Sequence, residues 1–90
     1  MYVILKQSGD RSVLSLNFLD KADFSNKDEL AAHNIKLLEH YDDDHSHWTL
    51  YVVDARLFDD YDEALILREE IVSHSDPNEA LYFVRQYVQK

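Results

Sequence analysis

Between Glu39 and Glu63 the chain carries Glu39, Asp42, Asp43, Asp44, Asp54, Asp59, Asp60, Asp62 and Glu63, with Arg56 as the only opposing Lys or Arg. Carboxylates that share one surface project a negative potential of several kT into solvent. The chemistry this offers is recognition. Such a surface imitates an array of phosphates and draws a basic protein partner, most strongly at low salt. The expected carriers are Asp42, Asp43, Asp44, Asp59, Asp60, Asp62 and Glu63, on the condition that their two loops meet on one side of the fold. A plainer use competes. Asp59, Asp60, Asp62 and Glu63 stand where the amino end of a helix favours carboxylates, and Asp42 to Asp44 solvate a loop.

A second cluster overlaps the first. His40, His45 and His47 fall beside Asp42, Asp43 and Asp44, and imidazole with carboxylate is a ligand set for zinc, nickel or copper. In an extended segment His45 and His47 point the same way, with His40 on the preceding element within reach. The spacing matches no strong metal motif, and a solvent-exposed loop loses entropy when it orders around an ion. No metal or cofactor is therefore assigned. The alternative to an acidic binding module stays open as a weak His/Asp transition-metal binder or a plain oligomerising domain.

Catalytic signatures are lacking. There is no cysteine and a single glycine, Gly9. That removes a thiolate nucleophile, a Cys-type zinc site and a glycine-rich phosphate loop. No paired acid and base or Ser/His/Asp order with a strained turn stands out. The chain is expected not to be an enzyme.

These residues must be positioned by a small fold. Ninety residues suffice for one core, so residues 1–90 are expected to form a single domain, and 46% hydrophobic residues are enough to fill it. Tyr2 to Gln7 and Ser12 to Phe18 read as a β-hairpin turning at Ser8–Arg11. Ser25 to Glu29 supplies a cap for a helix whose apolar stripe is Leu30, Ala31, Asn34, Ile35, Leu38 and Tyr41. Trp48 to Val53 is bulky and mostly β-branched or aromatic, and reads as a third strand parallel to the second. Asp60 to Glu63 caps a second helix carrying Tyr61, Ala64, Leu65, Arg68, Ile71 and Val72.

For residues 77–89 a helix competes with an edge strand. Asp76-Pro77-Asn78-Glu79 is a helix-start signal, whereas Leu81 to Val84 has strand propensity. The cap favours the helix. The expected fold is thus α+β in two layers, ββαβαα, with a three-stranded mixed sheet in order 2-1-3 packed against helices.

In that arrangement Tyr82, Phe83 and Tyr87 cover more than one helix face and offer a homodimer surface, unless the thin sheet needs them as cover. Eighteen Asp and Glu against nine Lys and Arg give a formal charge of −9, which disfavours direct binding to nucleic acid or anionic membranes. The amino terminus lacks the pattern of a signal peptide, and no apolar run reaches the roughly 20 residues that cross a bilayer. A cytoplasmic protein is expected.

Overall fold

The computed structural model describes residues 1–8, 24–76 and 79–87. Their order is β1 (Tyr2–Ser8), α1 (Lys27–Ala32), β2 (Ile35–Asp42), β3 (His45–Thr49), a 3-10 turn (Val52–Asp54), α2 (Tyr61–Ser73) and β4 (Ala80–Gln86). The strands form one four-stranded sheet in the order β3-β2-β1-β4, and every neighbouring pair is antiparallel. The α+β class holds. The three-stranded mixed sheet in order 2-1-3 does not, and each departure has a local cause.

The first cause is Asn34. Asn26 caps α1 by accepting from the Asp28 and Glu29 backbone N–H groups at 3.1 and 3.2 Å, as the cap signal predicts. Asn34 then adopts φ 57°, a left-handed conformation that asparagine tolerates and that ends a helix. The expected stripe to Tyr41 is cut there, and Ile35–Asp42 pairs with β1 instead, Leu5 opposite Leu37 and Gln7 opposite Ile35.

β3 follows across the turn Asp43-Asp44, both at positive φ (49° and 64°). Two such residues between paired Asp42 and His45 are the geometry of a tight hairpin, whose twist suits the flanking strands. The expected strand Trp48–Val53 is therefore part of a hairpin and not a parallel partner reached by a crossover. It also ends early. The Thr49 hydroxyl accepts from the Tyr51 N–H at 3.0 Å, the local turn that threonine favours, and the chain passes into the 3-10 turn.

The third departure concerns residues 77–89. Glu79 N–H donates to the Asp76 carbonyl at 3.0 Å, closing a turn, after which β4 pairs with β1 over its whole length, from Ser8 opposite Ala80 to Tyr2 opposite Gln86. Strand propensity outweighs the cap because β1 offers seven residues of unpaired backbone. The second helix stands as expected, with Asp60 accepting from Asp62 N–H at 3.0 Å. The expected strand Ser12–Phe18 and the turn glycine Gly9 lie outside the described residues.

Both faces of the sheet are covered. On one, α2 packs over Ile4, Leu38, Ala80, Tyr82 and Val84 through Ala64 and Ile71, joined by Phe58. On the other, Leu30 of α1 and Phe24 pack with Val3, Leu5, Ile35 and Leu37. Val3, Ile4 and Leu5 are all fully buried, as are Leu37 and Leu38. Strands buried on two sides read as apolar runs without alternation, which is why β2 can pass for a helix face in the sequence.

At Glu39 the β2–β3 register shifts, from Leu38 opposite Trp48 to His40 opposite His47. Beyond this bulge β2 parts from β1, and the segment 56–58 takes its place. Arg56 N–H donates to the Leu38 carbonyl at 2.8 Å, and Tyr2 and Phe58 exchange two backbone bonds of 2.8 and 2.9 Å. Among the described residues no helix is long and apolar enough to cross a membrane.

Candidate functional site

α2 decides where the acidic residues go. Its thirteen residues rise about 19 Å at 1.5 Å each. Asp59, Asp60, Asp62 and Glu63 stand at its amino end. Asp44 stands at its carboxyl end, where its Oδ1 lies 3.4 Å from Nε2 of His74. The two expected clusters are therefore not one patch. They are the two ends of a stripe, joined by the outer face of the helix.

That face follows from the helical period. Ala64, Leu65, Leu67, Ile71 and Val72 turn inward to the sheet, which leaves Asp62, Glu63, Ile66, Glu69, Glu70 and Ser73 exposed on the opposite side. Ile66 is 71% exposed and has Asp62, Glu63, Glu69 and Glu70 at the three- and four-residue spacings that make helix neighbours. Arg68 turns partly inward instead, its Nε donating to the Tyr82 carbonyl at 3.2 Å.

Cations oppose the stripe at two points. Arg56 lies 3.9 Å from Glu63 and Arg68 lies 2.6 Å from Glu69. Arg56 also stacks over Phe58, 4.7 Å from the ring centre. Asp60 is occupied as the helix cap, so the plainer reading of that residue holds in part. Asp42 and Asp43 are exposed at the hairpin end.

Of the imidazoles that carry only the alternative of a weak metal binder, His40 and His47 are cross-strand partners with rings stacked 4.0 Å apart at 19°, and His45 sits opposite Asp42. Among the described residues they do not converge with a third ligand. Among the described residues the group that brings three ligand atoms together, all within 4.8 Å of one another, is Asp44, Glu70 and His74.

Only Asp44 of these three is singled out by the sequence. Glu70 and His74 are four apart, a spacing visible in any helix prediction, but the hairpin turn that completes the set comes from another element. Tyr41 borders the group, its hydroxyl donating to Asp44 Oδ1 at 3.3 Å. Its phenol is pushed above the usual tyrosine value, first by partial burial, then by the negative charges of Asp44 and Glu70 and by that hydrogen bond.

Of the aromatic residues expected on a homodimer surface, Tyr82 and Phe83 lie on opposite faces of β4 and Tyr87 follows directly after it. Tyr82 is 7% exposed and its ring lies 5.8 Å from Trp48. Phe83 and Tyr87 are half-buried on the other face, Tyr87 against Phe24 at 6.5 Å. All three serve as cover for the sheet within one chain. A hollow of about 250 Å³ is lined by Ser8, Ala31, Asn34, Ile35, Lys36 and Leu50, and its ionisable lining group is Lys36, which gives no acid–base pair.

Comparison with protein-family models, with curated proteins and with solved structures finds no match for this chain.

Proposed function

We propose that this protein is a small, acidic, non-catalytic binding module that acts in the cytoplasm and docks on a basic protein through the outer face of α2. The observation that carries the reading is Ile66, 71% exposed with Asp62, Glu63, Glu69 and Glu70 around it. An apolar centre inside a charged rim is the anatomy of a contact surface: the centre is desolvated on binding, and the rim steers approach and fixes register. A net charge of −9 extends that steering beyond the contact itself. The carriers lie on a convex face open to solvent, not in a cleft, which favours binding over chemistry.

The finer form of the proposal is an inhibitor that occupies a nucleic-acid site. Carboxylates repeating along a rod of about 19 Å offer a basic cleft what a phosphate backbone offers. The test begins with capture of partners at low and at high salt by the wild-type chain. It is repeated with a chain in which Asp62, Glu63, Glu69 and Glu70 are changed to Asn and Gln. The expected result is a basic protein retained at low salt, released at high salt, lost by the neutralised chain and weakened at least tenfold by Ile66→Ser. Displacement of that partner from a duplex supports the inhibitor form. Partners retained equally by the neutralised chain would overturn the docking face.

A further inference from the structure

The geometry points to a divalent metal site at the carboxyl end of α2, made by Asp44, Glu70 and His74 and taking an ion of the zinc, nickel or cobalt class. The three side chains come from two elements. Asp44 is delivered by the β2–β3 turn, and Glu70 and His74 by one edge of the last turn of α2 and its cap. Their ligand atoms already lie within 4.8 Å of one another. Ligands about 2.0–2.2 Å from one ion in tetrahedral geometry stand about 3.3–3.6 Å apart, so closure draws each ligand atom inward by about 1 Å or less. One imidazole with two carboxylates suits borderline ions and leaves the remaining positions to water.

The charge of this ligand set and its place at a helix end favour a cation there. The carboxyl end of a helix carries a partial negative charge that Lys or Arg normally offsets. The last turn of α2 has no basic residue and contains Glu70, with Asp44 packed beside it. Arg56 and Arg68 are engaged elsewhere, with Glu63 and Glu69. The His74–Asp44 pair at 3.4 Å is the competing explanation, but a single imidazole, even protonated, cannot offset two carboxylates and a helix end together. A divalent ion can. Bound there, it would clamp the hairpin to the helix.

The site shares Glu70 with the proposed docking face, but its test reads the metal directly and needs no partner. It is tested on the full chain by thermal unfolding and by isothermal titration with zinc chloride and with nickel chloride, in a non-chelating buffer. Imidazole NMR signals are followed in parallel. The expected result is one equivalent bound, an upward shift in melting temperature reversed by EDTA, and perturbation of the His74 ring. His74→Ala and Glu70→Gln, both at exposed positions, should each stay folded without metal and lower affinity at least tenfold. His40→Ala and His47→Ala should leave affinity unchanged. No thermal or NMR response to excess of either metal would overturn the site. So would a response that survives His74→Ala and disappears in His40→Ala.

Discussion

Tyr41 reports on the charges around it. Its hydroxyl donates to Asp44 at 3.3 Å, and burial together with the carboxylates of Asp44 and Glu70 raises its pKa. In the unfolded chain the phenol ionises near its ordinary value of about 10, so as pH rises the unfolded state loses this proton first. The contribution of Tyr41 to stability is then fully present below about 10 and is lost as pH rises through the folded value. Absorbance titration near 295 nm should show a tyrosine component that ionises above the ordinary range. Tyr41→Phe should remove that late component, and Asp44→Asn should move it down. A late component that persists in Tyr41→Phe would assign it to another ring. Of the residues in this group the sequence singles out Asp44 for its charge and places Tyr41 on a helix stripe. Glu70 and His74 pass unremarked because i, i+4 pairs of acid and imidazole are common on exposed helices, and only the tertiary fold supplies Asp44 as their neighbour.

At the level of elements, the boundary between α1 and β2 rests on one residue. Asn34 holds φ 57° while its backbone N–H donates to the Ala31 carbonyl and its carbonyl accepts from Ser8 N–H, both at 3.1 Å. The helix end and the start of sheet pairing thus meet in a left-handed conformation. A residue with a Cβ and no local polar group pays about 1–2 kcal/mol there. Asn34→Ala is expected to lose about 1 kcal/mol in urea unfolding, and Asn34→Gly to lose none of it, since glycine enters this region freely. Equal losses for both would point to the side chain and not to the backbone. The same residue explains what was legible. The caps at Asn26 and Asp60, the strand β1 and the helix α2 are written in local chemistry and are present. β2 is not, because Ala31, Ile35, Leu38 and Tyr41 recur at helical spacing while serving two different elements and both sheet faces. β4 shows the converse. A sound cap signal at Asp76 is overruled by an open edge of β1, a partner that no window of sequence contains.

For the molecule as a whole, the arrangement of charge sets a length scale that experiment can use. The described residues span 29 × 29 × 19 Å, and carboxylates stand at both ends of α2, about 19 Å apart by helix rise. At 0.01 M salt the screening length is about 30 Å and at 0.1 M about 10 Å. The two acidic ends therefore repel each other across the fold at the lower concentration and are largely independent at the higher. The cation-to-carboxylate contacts at 2.6–3.9 Å are short-range, exposed pairs of small individual worth. With a net charge of −9, self-repulsion is expected to outweigh them. The melting temperature is expected to rise between 0.01 and 0.1 M sodium chloride, a range in which screening acts before salt changes apolar burial. The chain with Asp62, Glu63, Glu69 and Glu70 neutralised should start higher and respond less. Over the same interval attraction to a basic partner should weaken, because screening acts on both. A melting temperature that falls with salt would mean that attractive pairs dominate the folded surface, and the stripe on α2 would then be internally compensated and poorly suited to steer a partner.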